Sequence, residues 1–115
     1  MSDILLRLEQ TIRDRRTSDP ADSYVSSLQR QGINRILEKI GEEATETIIA
    51  AKDASVSGKR GDLIHETADL WFHTMVMADH LDVSLDSILK ELERRFGTSG
   101  LAEKKSRSES NATRN

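Results

Sequence analysis

The sequence predicts an all-α fold, an antiparallel bundle of about four to five helices, and three observations carry that expectation. Aromatic residues are only 3% of the 115-residue chain, so the core must come from Leu, Ile, Val, Met and Ala, which suit helix packing better than a sheet sandwich. Pro20 is the only proline. Apolar residues recur with the 3.6-residue helical period along most of the chain. At this length, with 36% hydrophobic and 32% charged residues, one domain is expected. Its small core leaves apolar helix surface for a second copy to cover, which makes a homodimer or higher homo-oligomer the expected state.

The elements follow in order. Ile4, Leu5, Leu8 and Ile12 define a first helix, with Asp3 as its N-cap and its end near Arg15 and Arg16, ahead of Pro20. After a turn at Ala21 to Ser23, the apolar positions Tyr24, Val25 and Leu28 make a short helix that Gly32 stops. From Ile33 to about Ser55 the stripe Ile33, Ile36, Leu37, Ile40, Ala44, Ile48 and Ala51 predicts the longest helix. Gly41 inside it costs roughly 1 kcal/mol relative to Ala and marks close packing, close approach of a ligand, or simple tolerance. Ser57, Gly58 and Gly61 break the pattern. Asp62 then caps a helix whose buried face is expected to be Leu63, Ile64, Ala68, Trp71, Met75 and Ala78, running to about Leu81. Ser84 caps a last helix through Leu85, Ile88, Leu89, Leu92 and Phe96, with Arg94 and Arg95 at the negative end of its dipole and Gly97 as a stop. Past Gly100 the composition is polar, as expected of a loose tail.

Composition also excludes function classes. Seventeen basic against twenty acidic residues leave a net charge of -3, which offers no footprint for nucleic acid or an anionic membrane. With no cysteine, disulfides, thiolate metal sites and Cys nucleophiles are excluded. Met1 to Glu9 has no basic flank or long apolar run, and no segment approaches the roughly 20 apolar residues of a membrane span, so a cytoplasmic location is expected.

The chemistry is concentrated in two acidic clusters on consecutive helices, Glu42-Glu43-Ala44-Thr45-Glu46 and Glu66-Thr67-Ala68-Asp69. Residues three apart share a helix side, so Glu43 pairs with Glu46, and Glu66 with Asp69. The short segment from Ser55 to Gly61 makes the two helices antiparallel neighbours, with axes about 8 to 10 Å apart, so both pairs can converge. Like charges brought together this way repel and raise one another's pKa, whereas a divalent cation makes their convergence favourable. Carboxylate oxygens select Mg²⁺, with Mn²⁺ as the alternative, and Mg²⁺ commonly completes its shell with phosphate oxygens, which suits phosphoanhydride cleavage. The competing explanation is that each cluster is an ordinary solvated helix face.

The pattern Glu42-Glu43-x-x-Glu46 followed by Glu66-x-x-Asp69 resembles the metal signature of the all-α nucleoside triphosphate pyrophosphatases, the MazG-like superfamily. More narrowly, Ser23-Tyr24 with Leu28 and Gly32, Lys39-Ile40-Gly41-Glu42-Glu43, Ala50-Ala51-Lys52, Ala68 to His73 and Ser99 to Arg107 resemble the phosphoribosyl-ATP pyrophosphatase family, over roughly residues 4 to 107. The resemblance implies a dimerising helix bundle and hydrolysis of phosphoribosyl-ATP to phosphoribosyl-AMP and pyrophosphate, the second step of histidine biosynthesis. It further implies that Glu43, Glu46, Glu66 and Asp69 are metal ligands, with Glu42 a further ligand or a base. It makes residues 1–107 the domain, orders Ser99 to Arg107 against the body or the substrate, and leaves 108–115 as a flexible tail. Trp71-Phe72 departs from the Leu-Tyr or Tyr-type pair expected before His73.

In the implied mechanism, Mg²⁺ offsets the triphosphate charge and Glu42 or Glu46 takes a proton from the attacking water. Lys39 either binds phosphate or pairs with Glu43 one turn on. His73, four residues after Asp69, either contacts phosphate, orients Asp69 or serves structurally. Ser23 and Tyr24 either touch the substrate or cap and staple their helix, and Trp71 is read as core or dimer packing. Two other functions share these features: a house-cleaning pyrophosphatase acting on free nucleotides, and a non-enzymatic helical interaction module.

Overall fold

The computed structural model describes residues 3–97, which form five helices and, among the described residues, no strand. These are α1 (Ile4–Arg15), α2 (Tyr24–Gln31), α3 (Ile33–Ser57), α4 (Gly61–His80) and α5 (Leu85–Phe96). One compact unit ends at Val83 and holds α1 to α4; a second begins at Ser84 and holds α5. The boundary expected between a 1–107 domain and a 108–115 tail, and the Ser99 to Arg107 motif, lie outside the described residues.

Local chemistry sets the ends of each helix. Asp3 occupies the N-cap position of α1, as expected, but its side chain makes no capping bond: its backbone carbonyl accepts from Arg7 N at 3.0 Å, and its carboxylate faces the Arg7 guanidinium at 3.8 Å. Ser23, in extended backbone, does cap α2, its Oγ accepting from Ser26 N at 3.3 Å. Gly32 closes α2 through its N–H to Leu28 O at 3.1 Å and opens α3 through its carbonyl, which accepts from Ile36 N at 3.3 Å. It can do both because φ is 92° and ψ 179°, backbone that a side chain makes costly by about 1–3 kcal/mol. The angle between α2 and α3 is therefore a property of glycine at this position.

The 25-residue α3 ends at Gly58, a left-handed C-cap with φ 75° whose N–H reaches Ala54 O at 2.8 Å. Only Lys59 and Arg60 separate it from α4, so α4 folds back antiparallel along α3, and these two helices make the most extensive pairing in the unit. The N-cap of α4 is Arg60 rather than Asp62, and its guanidinium, which cannot accept, makes no capping bond; Asp62 sits inside the first turn, where its charge favours the dipole. At the other end Asp82 takes the left-handed conformation (φ 57°) and Val83 N bonds Ala78 O at 2.8 Å, closing α4. Within the second unit, Ser84 Oγ accepts from Ser87 N at 3.1 Å, and Arg94 and Arg95 grip Glu91 and hold its carboxyl well below the usual range, at about 2.

Ile12, Val25, Leu28, Ile36, Ala50, Met75, Val76 and Ala78 are the buried apolar side chains of the first unit. The expected stripes are only partly covered. Ile36, Met75 and Ala78 are buried, but Leu37 is 46% exposed, Ile48 70%, Ile64 68% and Trp71 56%. The reason is rotational: the chain packs α4 through His73, Val76 and Asp79, one step around the helix from the Ile64–Ala68–Trp71 line. That line, with Leu63 and Thr67, borders an open apolar groove. At Gly41 an added Cβ would meet nothing within 4 Å, so close packing within the chain is not what requires glycine there.

A polar clasp joins α1, α2 and α4. The Arg16 guanidinium forks onto the buried Asp79 carboxylate, its Nε donating at 3.2 Å and its NH2 to the other oxygen. Gln29 Nε2 donates to Asp79 Oδ2 at 2.9 Å, which leaves Gln29 Oε1 to accept from His80 Nδ1 at 2.6 Å. The Asp79 hydrogen bond holds Arg16 above its ordinary pKa.

Candidate metal centre

Antiparallel pairing of α3 and α4 brings Glu43 and Glu46 opposite Glu66. One carboxylate oxygen from each lies within 4.8 Å of the other two, a spacing that could hold a metal ion. Burial grades across the group: Glu43 is 6% exposed, Glu66 half-buried and Glu46 exposed. The group lies at the edge of a groove whose lining runs from Glu46 and Glu66 through Ile49, Ala50, Asp53 and Asp62.

The oxygens are not satisfied by protein donors. Glu43 Oε2 and Glu66 Oε2 are buried and have no hydrogen-bond partner. An ionised carboxylate only accepts, so these oxygens call for a donor or a cation: a proton on one of the carboxyls, a water, or a metal ion. The proton solution is expressed in Glu66, raised from 4.5 to about 7: a hydrogen bond shared with Glu46 is the main cause, followed by burial, the charge of Glu46, and the bond and charge of Glu43. This donor set, three hard oxygens with a pair orphaned, fits a divalent cation.

Protonation of Glu66 has a sign that can be checked. Its folded pKa lies above its unfolded value of 4.5, so its contribution to stability is fully present below that value and is lost as pH rises through about 7. With a chelator present, the thermal midpoint is therefore expected to fall between about pH 5 and pH 8 relative to a Glu66→Gln variant, and excess divalent cation should abolish the fall. Parallel pH profiles for the two proteins in chelator would show that no proton is shared.

Of the other residues expected at the site, Asp69 stands outside this group, its Oδ2 3.2 Å from His65 Nε2. Glu42 also stands outside it, its Oε2 accepting from Lys39 Nζ at 3.2 Å and its Oε1 lying 4.0 Å from Arg35. Lys39 Nζ is also 3.9 Å from Glu43 Oε1, so it borders the carboxylate group. The bond to Glu42 is the main reason the Lys39 ammonium is held above its ordinary pKa. Ser23 is buried and its hydroxyl is engaged in capping α2.

His73 and Tyr24 form a pair. His73 is buried; its Nδ1 donates to the Asp69 carbonyl at 2.8 Å, which makes Nε2 the acceptor in the neutral ring, and the Tyr24 hydroxyl donates to it at 2.8 Å. Phe72 completes the wall: it lies stacked against Tyr24, with centroids 6.2 Å apart and planes 20° apart, and edge-on to His73 at 5.2 Å. Burial is the chief influence raising the Tyr24 pKa, opposed by the charges of Lys39 and Arg35.

The sequence reading places Phe72 before His73 but gives no site role to Arg35 or to the groove residues Asp53 and Asp62. Asp53 follows Glu46 by two helical turns and Asp62 precedes Glu66 by one, so helical spacing could have found both. Residues 5–96, a span that takes in nearly all of α1 and the whole of the other four helices, match the protein-family model described as phosphoribosyl-ATP pyrophosphohydrolase.

Proposed function

The chain belongs to the phosphoribosyl-ATP pyrophosphohydrolase family, hydrolases of histidine biosynthesis with a MazG-like helical bundle, and from that premise we propose that it works with Mg²⁺ held by Glu43, Glu46 and Glu66, with Asp69 as a fourth ligand. The observation that carries this is the pair of buried, partnerless carboxylate oxygens on Glu43 and Glu66. Without a cation they are relieved only while Glu66 keeps its proton, which is lost as pH rises through about 7. Asp69 is one helical turn from Glu66 and is held only by an exposed histidine, so a side-chain rotation releases it.

Held by Glu43, Glu46 and Glu66, a divalent cation would supply positive charge to offset that of the triphosphate. Glu46 is the exposed member of the group and accepts the proton of the attacking water. Glu43, buried at the base, anchors the group from α3, and Glu66 does so from α4. Lys39, at its edge, offsets phosphate charge. Tyr24, Phe72 and His73 form a wall that fixes the backbone at Asp69.

A second copy covering the exposed line of Ile64 and Trp71 on α4 and Ile48 on α3 would make the functional unit a homodimer. Among the described residues no helix is long and apolar enough to cross a membrane, and a cytoplasmic location is the reading that suits the biosynthetic role. One sample tests these points. Pyrophosphate should be released from phosphoribosyl-ATP only with Mg²⁺ present, far faster than from ordinary dNTPs, and the protein should sediment at twice the chain mass. Faster turnover of dNTPs would instead indicate a house-cleaning enzyme, and Mg²⁺-independent release would remove the carboxylates from the mechanism.

A further inference from the structure

Resting on the activity proposed above, we propose that Arg35 and Lys39 form a phosphate-binding subsite beside the carboxylate group, and that Glu42 is an internal anion which a substrate phosphate displaces. Both cations project from α3, one turn apart. Both now face Glu42, Lys39 at 3.2 Å and Arg35 at 4.0 Å, while Arg35 also holds Glu38 at 3.0 Å.

Two observations separate this arrangement from an ordinary surface ladder of ion pairs. Lys39 is well covered for a lysine, its side chain 20% exposed, and its Nζ is 3.9 Å from an oxygen of the buried Glu43. The ladder thus ends on the candidate metal group instead of in solvent. The second is Tyr24, from a different helix: its hydroxyl, engaged in donating to His73, feels the charge of both Lys39 and Arg35. The cations therefore lie close enough to α2 for their charge to reach Tyr24, and Lys39 reaches the edge of the carboxylate group.

The charge balance explains Glu42. Without substrate, two cations beside a hard-cation site would repel a metal ion; Glu42 on Lys39 and Glu38 on Arg35 offset that charge, and Glu42 is the one shared between both cations. A phosphate group offers more acceptor oxygens and more charge than one carboxylate, and a guanidinium can bind two of those oxygens at once. The half-exposed Glu42 side chain is free to turn outward when that exchange occurs.

The test compares Arg35→Ala, Arg35→Lys and Glu42→Gln with the parent protein, after wild-type turnover of phosphoribosyl-ATP has been established. Arg35→Ala should raise KM about tenfold, with a much smaller change in kcat, and Arg35→Lys should recover part of that loss. Inhibition by inorganic pyrophosphate and by ribose 5-phosphate identifies the phosphate concerned, since only the inhibitor that occupies the subsite should weaken in Arg35→Ala. Glu42→Gln should tighten that same inhibitor several-fold. Calorimetric titration of inorganic pyrophosphate with Mg²⁺ present tests the subsite even if phosphoribosyl-ATP is not turned over. Unchanged KM and unchanged affinity for both inhibitors in a folded Arg35→Ala protein, or weaker binding in Glu42→Gln, overturns the proposal.

Discussion

Glu46→Gln is expected to lower kcat by about 10²- to 10⁴-fold while the circular dichroism spectrum stays helical. Glutamine keeps the shape and one ligand oxygen but cannot accept a proton at neutral pH, so a large fall in kcat that persists at saturating Mg²⁺ assigns Glu46 the base role. Recovery at high Mg²⁺ would instead make it a ligand alone. The substitution has a second consequence. The bond shared with Glu46 is the main cause of the raised Glu66 pKa, so removing the Glu46 charge should return Glu66 toward an ordinary carboxyl. The metal-free variant should then show a flatter dependence of stability on pH, and full activity in Glu46→Gln would exclude this residue from the chemistry.

Arg16→Met is expected to destabilise the fold by about 2–3 kcal/mol. Its cost exceeds that of a surface ion pair because Asp79, with 4% of its side chain exposed, would be left, among the described residues, with Gln29 as its side-chain donor. The Arg16 side chain is 39% exposed, so solvent screens the pair and places the loss at the lower end of what breaking a buried bridge costs. Replacing both residues, Arg16→Met with Asp79→Leu, should cost less than Arg16→Met alone, because no buried charge is then left without a partner. Chemical denaturation of the three proteins measures this; a double variant less stable than the single one would show that shape, not charge, governs the clasp.

Much of this was legible in the sequence for identifiable reasons. The helices were visible because their apolar period and their glycine and proline punctuation are local, and the match at Gly32 and Gly58 reflects backbone that only glycine adopts without strain. Glu43, Glu46 and Glu66 were legible because helical spacing and a short connection fix which residues meet. Side-chain direction was not: Glu42 and Asp69 carry the same charge as their neighbours, and only the three-dimensional positions of Arg35, Lys39 and His65 decide which way they turn. The burial of Ile64 and Trp71 was misjudged because periodicity gives the width of an apolar face without saying which part of it the chain itself covers. The Arg16–Asp79 clasp joins residues 63 positions apart, beyond any local pattern.

The connection of only two residues between α3 and α4 also bears on how the molecule assembles. All three converging carboxylates ride on a single helical hairpin, whose closure demands little chain entropy, whereas the clasp must close a loop roughly three times longer. The reaction centre should therefore take shape early in folding and the α1 clasp late, so that loss of Arg16 accelerates unfolding while leaving the refolding rate nearly unchanged.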